Sequence, residues 1–247
     1  MGVGMADDIA ANLENVRRRI EAACQRSGRQ PGDVTIIAVT KTAPPERVRA
    51  AYALGLADFG ENRVQEAREK LATLSDLTAR WHMIGHLQSN KAGQAADLFS
   101  MVHSVDSVEI AERLSRRVQA RGGVLPVLLE VNIGGEAAKS GFAPPGDEAA
   151  WTEFLAAVRR ISALPGLDVQ GLMTVAPLVS DPALARPCFH DMRMLQDRLR
   201  REASRSSMPQ RSWPHLSMGM TDDFEVAIEE GATMVRLGRA LFGPRPG

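Results

Sequence analysis

The stretch AVTKTAPPERV, residues 38–48, closes a β-branched apolar run with a lysine and then turns into prolines. Lysine is seldom buried without a partner, so Lys41 at the tip of this run needs either a route to water or a chemical task. Two readings stand. The stem can lie on apolar surface while the ammonium reaches solvent. Alternatively, desolvation lowers the amine's pKa and makes it a nucleophile toward carbonyls.

Two segments near the C-terminus have the residue types of an anion cradle. HLSMGMTDD, residues 215–223, offers Ser217 and Gly219 before an acid-capped helical pattern, and VRLGRALFG, residues 235–243, offers Arg236 and Gly238. A hydroxyl, small residues that bare backbone N–H groups, and a nearby helix start suit a phosphate. Taken singly, either loop reads equally well as ordinary turn glycines. FGENRVQE, residues 59–66, adds Asn62, which can cap the following helix or donate to a ring. A carbonyl-reactive lysine beside a phosphate cradle suggests pyridoxal 5′-phosphate.

The elements that must bring these residues together alternate along the chain. Apolar runs fall near 34–40, 57–61, 80–86, 101–106, 124–133, 168–176, 215–219 and 233–238. Several are apolar on both faces, as in a parallel sheet covered by helices. Between them, spacings of three and four recur, as in Val64, Ala67, Leu71 and Leu74, or Phe189, Met192, Leu195 and Leu199. Asp222 and Glu225 resemble a capping box, with Gly231 as the stop.

An additional helix over about 7–27 precedes the first strand. Eight βα alternations predict an α/β fold, a TIM-type (β/α)8 barrel, spanning 1–247 as a single domain. No helix-length segment follows the eighth strand, so the helix at 7–27 is expected to fill that place in the outer ring. A doubly wound sheet is the structural alternative. In barrels the site lies at the C-terminal ends of the strands, with phosphate often held after strands seven and eight. Lys41, Asn62, Ser217, Gly219, Arg236 and Gly238 all fall there.

Composition narrows the rest. Thirty basic residues balance thirty acidic ones, which removes a global electrostatic argument for nucleic acid or anionic membrane. Cys24 and Cys188 stand far apart with no metal or disulfide spacing, and no apolar stretch reaches the roughly 20 residues of a membrane span. A cytoplasmic location is expected. His82 and His86 would share a strand face, but no carboxylate or cysteine accompanies them, so no metal is expected; His103 and His190 have no assembled partners. The arginines between Arg193 and Arg205 read as a solvated helix face rather than a nucleic-acid patch.

Taken in order, AVTKT, FGENRVQE, WHMIGHLQSNK, HSVDS, VNIGGEAAKSGF, GLMTVAP and LSMGMTDDFEVAIEEGATMVRLGRALFG resemble the pyridoxal phosphate homeostasis proteins, also called the YggS or PROSC family. The resemblance covers nearly the whole chain. It implies a barrel like the N-terminal domain of alanine racemase, with Lys41 forming the internal aldimine and Ser217 and Gly238 holding phosphate together with backbone around Met218 and Gly219. It places Arg236 near the pyridine nitrogen and Asn62 beside the ring. It further implies a protein that binds and delivers the cofactor without catalytic turnover. Apo enzymes are then the recipients, and the chain is expected to be a monomer. The alternatives are a weak amino-acid racemase using Lys41 as its only base, or a barrel holding a sugar phosphate. Lys139, in the candidate lid at 134–148, is either a phosphate contact or a solvated loop lysine.

Overall fold

The computed structural model describes residues 3–136, 139–205 and 212–244. Eight parallel strands close into a barrel in sequence order, each hydrogen-bonded to the next and the eighth to the first. They are β1 (Thr35–Val39), β2 (Asp58–Glu61), β3 (Arg80–Met83), β4 (Met101–Val105), β5 (Leu125–Glu130), β6 (Leu167–Met173), β7 (His215–Ser217) and β8 (Met234–Leu237). All eight coincide with the predicted runs, and the doubly wound alternative is excluded by closure.

Helices follow the strands on the outside: α2 (Pro45–Ala53), α3 (Val64–Thr73), α4 (Ala92–Leu98), α5 (Val108–Arg121), α6 (Glu148–Ser162), α7 (Arg186–Arg205), α8 (Phe224–Glu229) and the single turn α9 (Arg239–Phe242). The N-terminal helix α1 (Val3–Arg26) packs against α2, α8 and α9. It therefore stands where the outer ring has only the short α9. Ile9, Leu13, Val16 and Ile20, spaced three and four apart, make its fully buried face.

Strand alternation sorts side chains into two cores. On β8, Val235 and Leu237 join the outer core between barrel and helices, whereas Met234 joins Ile37, Met101, Leu128 and Met173 inside the barrel. The same period of two turns Leu216 outward and Ser217 inward. The inner layer is not wholly apolar. His82, His103, Ser217 and Arg236 are all buried there or beside it, and a barrel interior tolerates such groups only when they bond one another.

Local details differ from expectation where side chains found other partners. The α8 cap is Asp223 rather than Asp222, and its carboxylate accepts from Met220 N–H at 2.6 Å, which shapes the loop after β7. The N-cap position of α3 is Arg63, so Asn62 does not fill it. In the loop at 134–148, Ala137 and Ala138 lie outside the described residues. The rest folds back on β5, with Phe142 bridged to Val131. Lys139 bonds Glu136 and the carbonyls of Val175 and Ala176 at 3.3 Å each, tying this loop to the one after β6. The arginines of α7 pair as a solvated face does, with Arg198 on Glu148 and Arg200 on Asp197.

Candidate functional site

At the C-terminal end of the barrel a cavity of about 560 Å³ is lined by Lys41, Asn62, Arg236 and Gly238 from the predicted set, and by Thr221 and Arg239. Four strand ends supply them. Lys41 leaves β1, Asn62 leaves β2, Thr221 belongs to the loop after β7, and Arg236 to Arg239 close β8. Lys41 is half-buried, held between strand end and proline turn.

The backbone beneath Lys41 is clamped from below. Thr40 and Glu61 are fully buried, and the Thr40 hydroxyl donates to Glu61 Oε1 at 2.6 Å. Lys70 reaches back from α3 to the same carboxylate oxygen at 2.6 Å and to the Thr40 carbonyl. Glu61 and Lys70 thus fix the ends of β1 and β2, the residues just before Lys41 and Asn62. Sequence reasoning missed this pair. The one available signal was an acidic residue closing an apolar strand.

Arg236 is buried, and three acceptors hold its guanidinium. Nη1 donates to the carbonyl of Ser217 at 2.7 Å and to its hydroxyl at 2.9 Å, and Nη2 donates to the carbonyl of Thr174 at 2.7 Å. Burial pushes its pKa down to about 10, with Glu130 and Asp223 opposing, so it remains a cation at neutral pH. Glu130, near the end of β5, is pushed up to about 7 by burial and by Asp106, with Arg236 pulling the other way.

Ser217 and Met218, expected to hold phosphate, are fully buried beneath the cavity and are not among its lining residues. The Ser217 hydroxyl is instead shared between Arg236 and His103 Nδ1, the latter at 2.9 Å. Gly219 shapes the loop. Its φ is +90°, and a Cβ there would lie 2.6 Å from Ala227 Cβ, so only glycine lets the chain turn against α8. Thr221, unlike Ser217, lines the cavity. Its hydroxyl accepts from Ala240 N–H at 3.2 Å, and a hydroxyl that accepts one bond can still donate another.

The histidines are also partnered, contrary to expectation. His103 Nε2 lies 3.0 Å from His82 Nδ1, and His82 Nε2 lies 3.0 Å from Asp58 Oδ1. His86 sits above the strand end beside Ser140 at 2.9 Å and Asp106 at 3.3 Å, and His190 meets Glu230 at 3.3 Å. His82 and His86 do not converge. Among the described residues no cluster of three His, Cys, Asp or Glu side chains could hold a metal ion.

The alanine racemase N-terminal domain family matches residues 11–246. The pyridoxal phosphate homeostasis protein of Pseudomonas aeruginosa is 44% identical over 237 residues, covering 96% of each chain. That of Aquifex aeolicus is 42% identical over 233 residues, covering 94% of this chain and 96% of the relative. The chain belongs to the pyridoxal phosphate homeostasis protein family. Among solved structures, PipY of Synechococcus elongatus with PLP bound is 36% identical with a TM-score of 0.78, covering 95% of this chain and all of that one. A protein of Bifidobacterium adolescentis reaches a TM-score of 0.84 at 36% identity, over 98% of this chain and 97% of that one. The alanine racemase of Clostridium difficile, at 16% identity and a TM-score of 0.68, shares the barrel; it covers 98% of this chain and 58% of the racemase. Membership in the homeostasis protein family thus rests on near full-length identity, whereas kinship with the racemase rests on fold. Among the described residues no helix is long and apolar enough to cross a membrane.

Proposed function

We propose that the cavity holds pyridoxal 5′-phosphate anchored on Lys41, and that the protein carries and buffers this cofactor in the cytoplasm rather than turning over amino acids. Its contribution is then to vitamin B6 and amino-acid homeostasis. The observation that carries this reading is the convergence of Lys41, Asn62, Arg236 and Gly238 on one cavity. The family's name and the PLP-bound PipY structure support the choice of ligand.

The residues present fit such a group. When bound, pyridoxal phosphate supplies an aldehyde that condenses with a primary amine, losing water to form a carbon–nitrogen double bond. Lys41 is the amine at the cavity wall. Asn62 Oδ1 is buried with no hydrogen-bond partner, an acceptor waiting for a donor such as a ring hydroxyl. The Thr221 hydroxyl and the Arg239 guanidinium line the cavity with Gly238; Arg239 is paired with Asp222 at 2.5 Å, so a phosphate dianion would share that cation with a carboxylate.

Two features support a carrier over a catalyst. Arg236 offers only N–H donors, so a ring nitrogen set against it stays an acceptor and the ring withdraws electrons weakly. A racemase also needs a second acid or base facing the lysine. The single tyrosine, Tyr52, lies on α2 against the outer core, away from the cavity lining.

The test is the visible absorption spectrum of wild type and Lys41→Ala after adding pyridoxal phosphate. A band in the wild type alone, unchanged on adding L- or D-alanine over hours with no racemised product, is expected. Equal spectra for both proteins would remove Lys41 as anchor. Racemised alanine would replace the carrier by a weak enzyme.

A further inference from the structure

A continuous file of buried polar groups runs from the cavity down through the barrel. Arg236 Nη1 meets Ser217 Oγ at 2.9 Å, and Ser217 Oγ meets His103 Nδ1 at 2.9 Å. His103 Nε2 then meets His82 Nδ1 at 3.0 Å, and His82 Nε2 meets Asp58 Oδ1 at 3.0 Å. Asp58 and Arg80 begin β2 and β3, so the file ends at the face of the barrel opposite the cavity. None of its inner members lines the cavity.

We infer that His103 and His82 are positioning residues for Arg236, linked to it as one single-direction hydrogen-bond chain with both rings neutral and protonated on Nε2. The direction follows from the two ends. Arg80 donates through Nε and Nη2 to the two oxygens of Asp58. Burial opposes ionisation of Asp58, yet the bonds from His82 and Arg80 bring its pKa below the ordinary value. Asp58 is therefore a carboxylate, which only accepts. His82 must place N–H on Nε2.

Arg80 already balances the charge of Asp58, so a further cation on His82 would stand uncompensated in the core. A neutral His82 leaves Nδ1 as acceptor, and His103 must then donate through Nε2. Burial pushes the pKa of His103 well below the ordinary value, and the Arg236 cation adds to the effect. A neutral His103 accepts at Nδ1, and the only remaining donor is the Ser217 hydroxyl. With its proton committed downward, Ser217 turns its lone pairs to Arg236.

The consequence reaches the cavity. Three of the guanidinium's five N–H groups are fixed by Ser217 and Thr174, which leaves two for whatever sits against Arg236. If His103 offered no acceptor, the Ser217 proton would turn elsewhere and compete with Arg236 for the lone pairs that hold it. The histidines touch no cavity wall, so they act through Arg236. Their effect on binding rests on the cofactor reading above; the proton placement does not.

The first measurement is nitrogen NMR of the cofactor-free protein with ¹⁵N-labelled histidine at pH 7. Nε2–H tautomers for His82 and His103 are expected. An Nδ1–H tautomer or an imidazolium at either ring overturns the inference, whether or not the cavity binds the cofactor. The second is pyridoxal phosphate affinity across a cycle. H103L and S217A should each weaken binding about tenfold, the scale of one hydrogen bond. The double variant should weaken it no further, because both remove the same link. H103Q, which keeps an acceptor and a donor, should recover most of the loss. Additive losses, or wild-type affinity in a folded H103L, would reduce the histidines to packing. If H103L does not fold, the tautomers decide alone. If wild type binds no pyridoxal phosphate while both tautomers are as stated, the cofactor reading fails and the chain stands.

Discussion

The Nζ of Lys70 lies 2.6 Å from Glu61 Oε1 and bonds the carbonyl of Thr40, the residue before Lys41. One ammonium from α3 thereby joins the ends of β1 and β2 directly beneath the two residues that enter the cavity first. Glu61 is wholly buried, its Oε2 has no partner, and its Oε1 is held by Lys70 and the Thr40 hydroxyl. Lys70→Met leaves that carboxylate uncompensated. A loss of about 3 kcal/mol in urea unfolding is expected, with partial recovery when Glu61→Gln is added. Full stability of the single variant would show that the pair does not hold the strand ends.

Under the proposed function, the Thr221 hydroxyl at the cavity wall is a phosphate donor. Thr221→Ala should weaken pyridoxal phosphate binding about tenfold and leave the Lys41-dependent absorption band in place at saturation. Titration by absorbance checks both. An unchanged dissociation constant would return the phosphate to other donors.

The turn at Gly219 admits no side chain without movement. In Gly219→Ala the new Cβ would meet Ala227 Cβ at 2.6 Å and Phe224 Cα at 3.0 Å, at a φ of +90°. We expect a loss of about 2 kcal/mol or more, read as a lowered midpoint of chemical unfolding, from strain and displacement of α8 together. Stability within experimental error of wild type would mean that the loop relaxes freely.

Glu130 makes stability fall as pH rises, and His103, whose pKa burial depresses from 6.5, acts in the opposite sense. The Glu130 carboxyl titrates at about 7 in the folded chain against 4.5 ordinarily, so between those values the folded state binds more protons than the unfolded. Stability contributed by this group is present below about 4.5, falls as pH rises toward 7 and is level above it, with an amplitude of roughly 3 kcal/mol. Glu130→Gln should flatten that slope and be the more stable protein at pH 8. Parallel stability profiles for the two proteins would assign the slope elsewhere.

The thiols should be inert in the native state. Cys24 is buried, and burial pushes the Cys188 thiol up to about 12. Neither residue should react with a thiol reagent at pH 8 on the time scale of minutes, and both should react in denaturant. Rapid native labelling of either would contradict the packing of α1 or α7.

By itself the sequence determined the alternation of eight strands with helices, and with it the end of the barrel at which Lys41, Asn62, Arg236 and Gly238 meet. Those features are local. Period-two and period-3.6 patterns and strand-ending residues are written in neighbouring positions, and closure of the barrel turns them into a place. What Ser217 does was not local. Whether the side chain that closes the three-residue β7 reaches the cavity or the core depends on its register with β6 and β8, and its hydroxyl lies 2.9 Å from a histidine 114 positions earlier. The same holds for Glu61, whose cation comes from one helix further on, and for His82 and His103, which look partnerless in sequence. Buried polar groups are stable only as satisfied sets. The members of such a set are chosen by which strands lie side by side, and only the tertiary structure decided that.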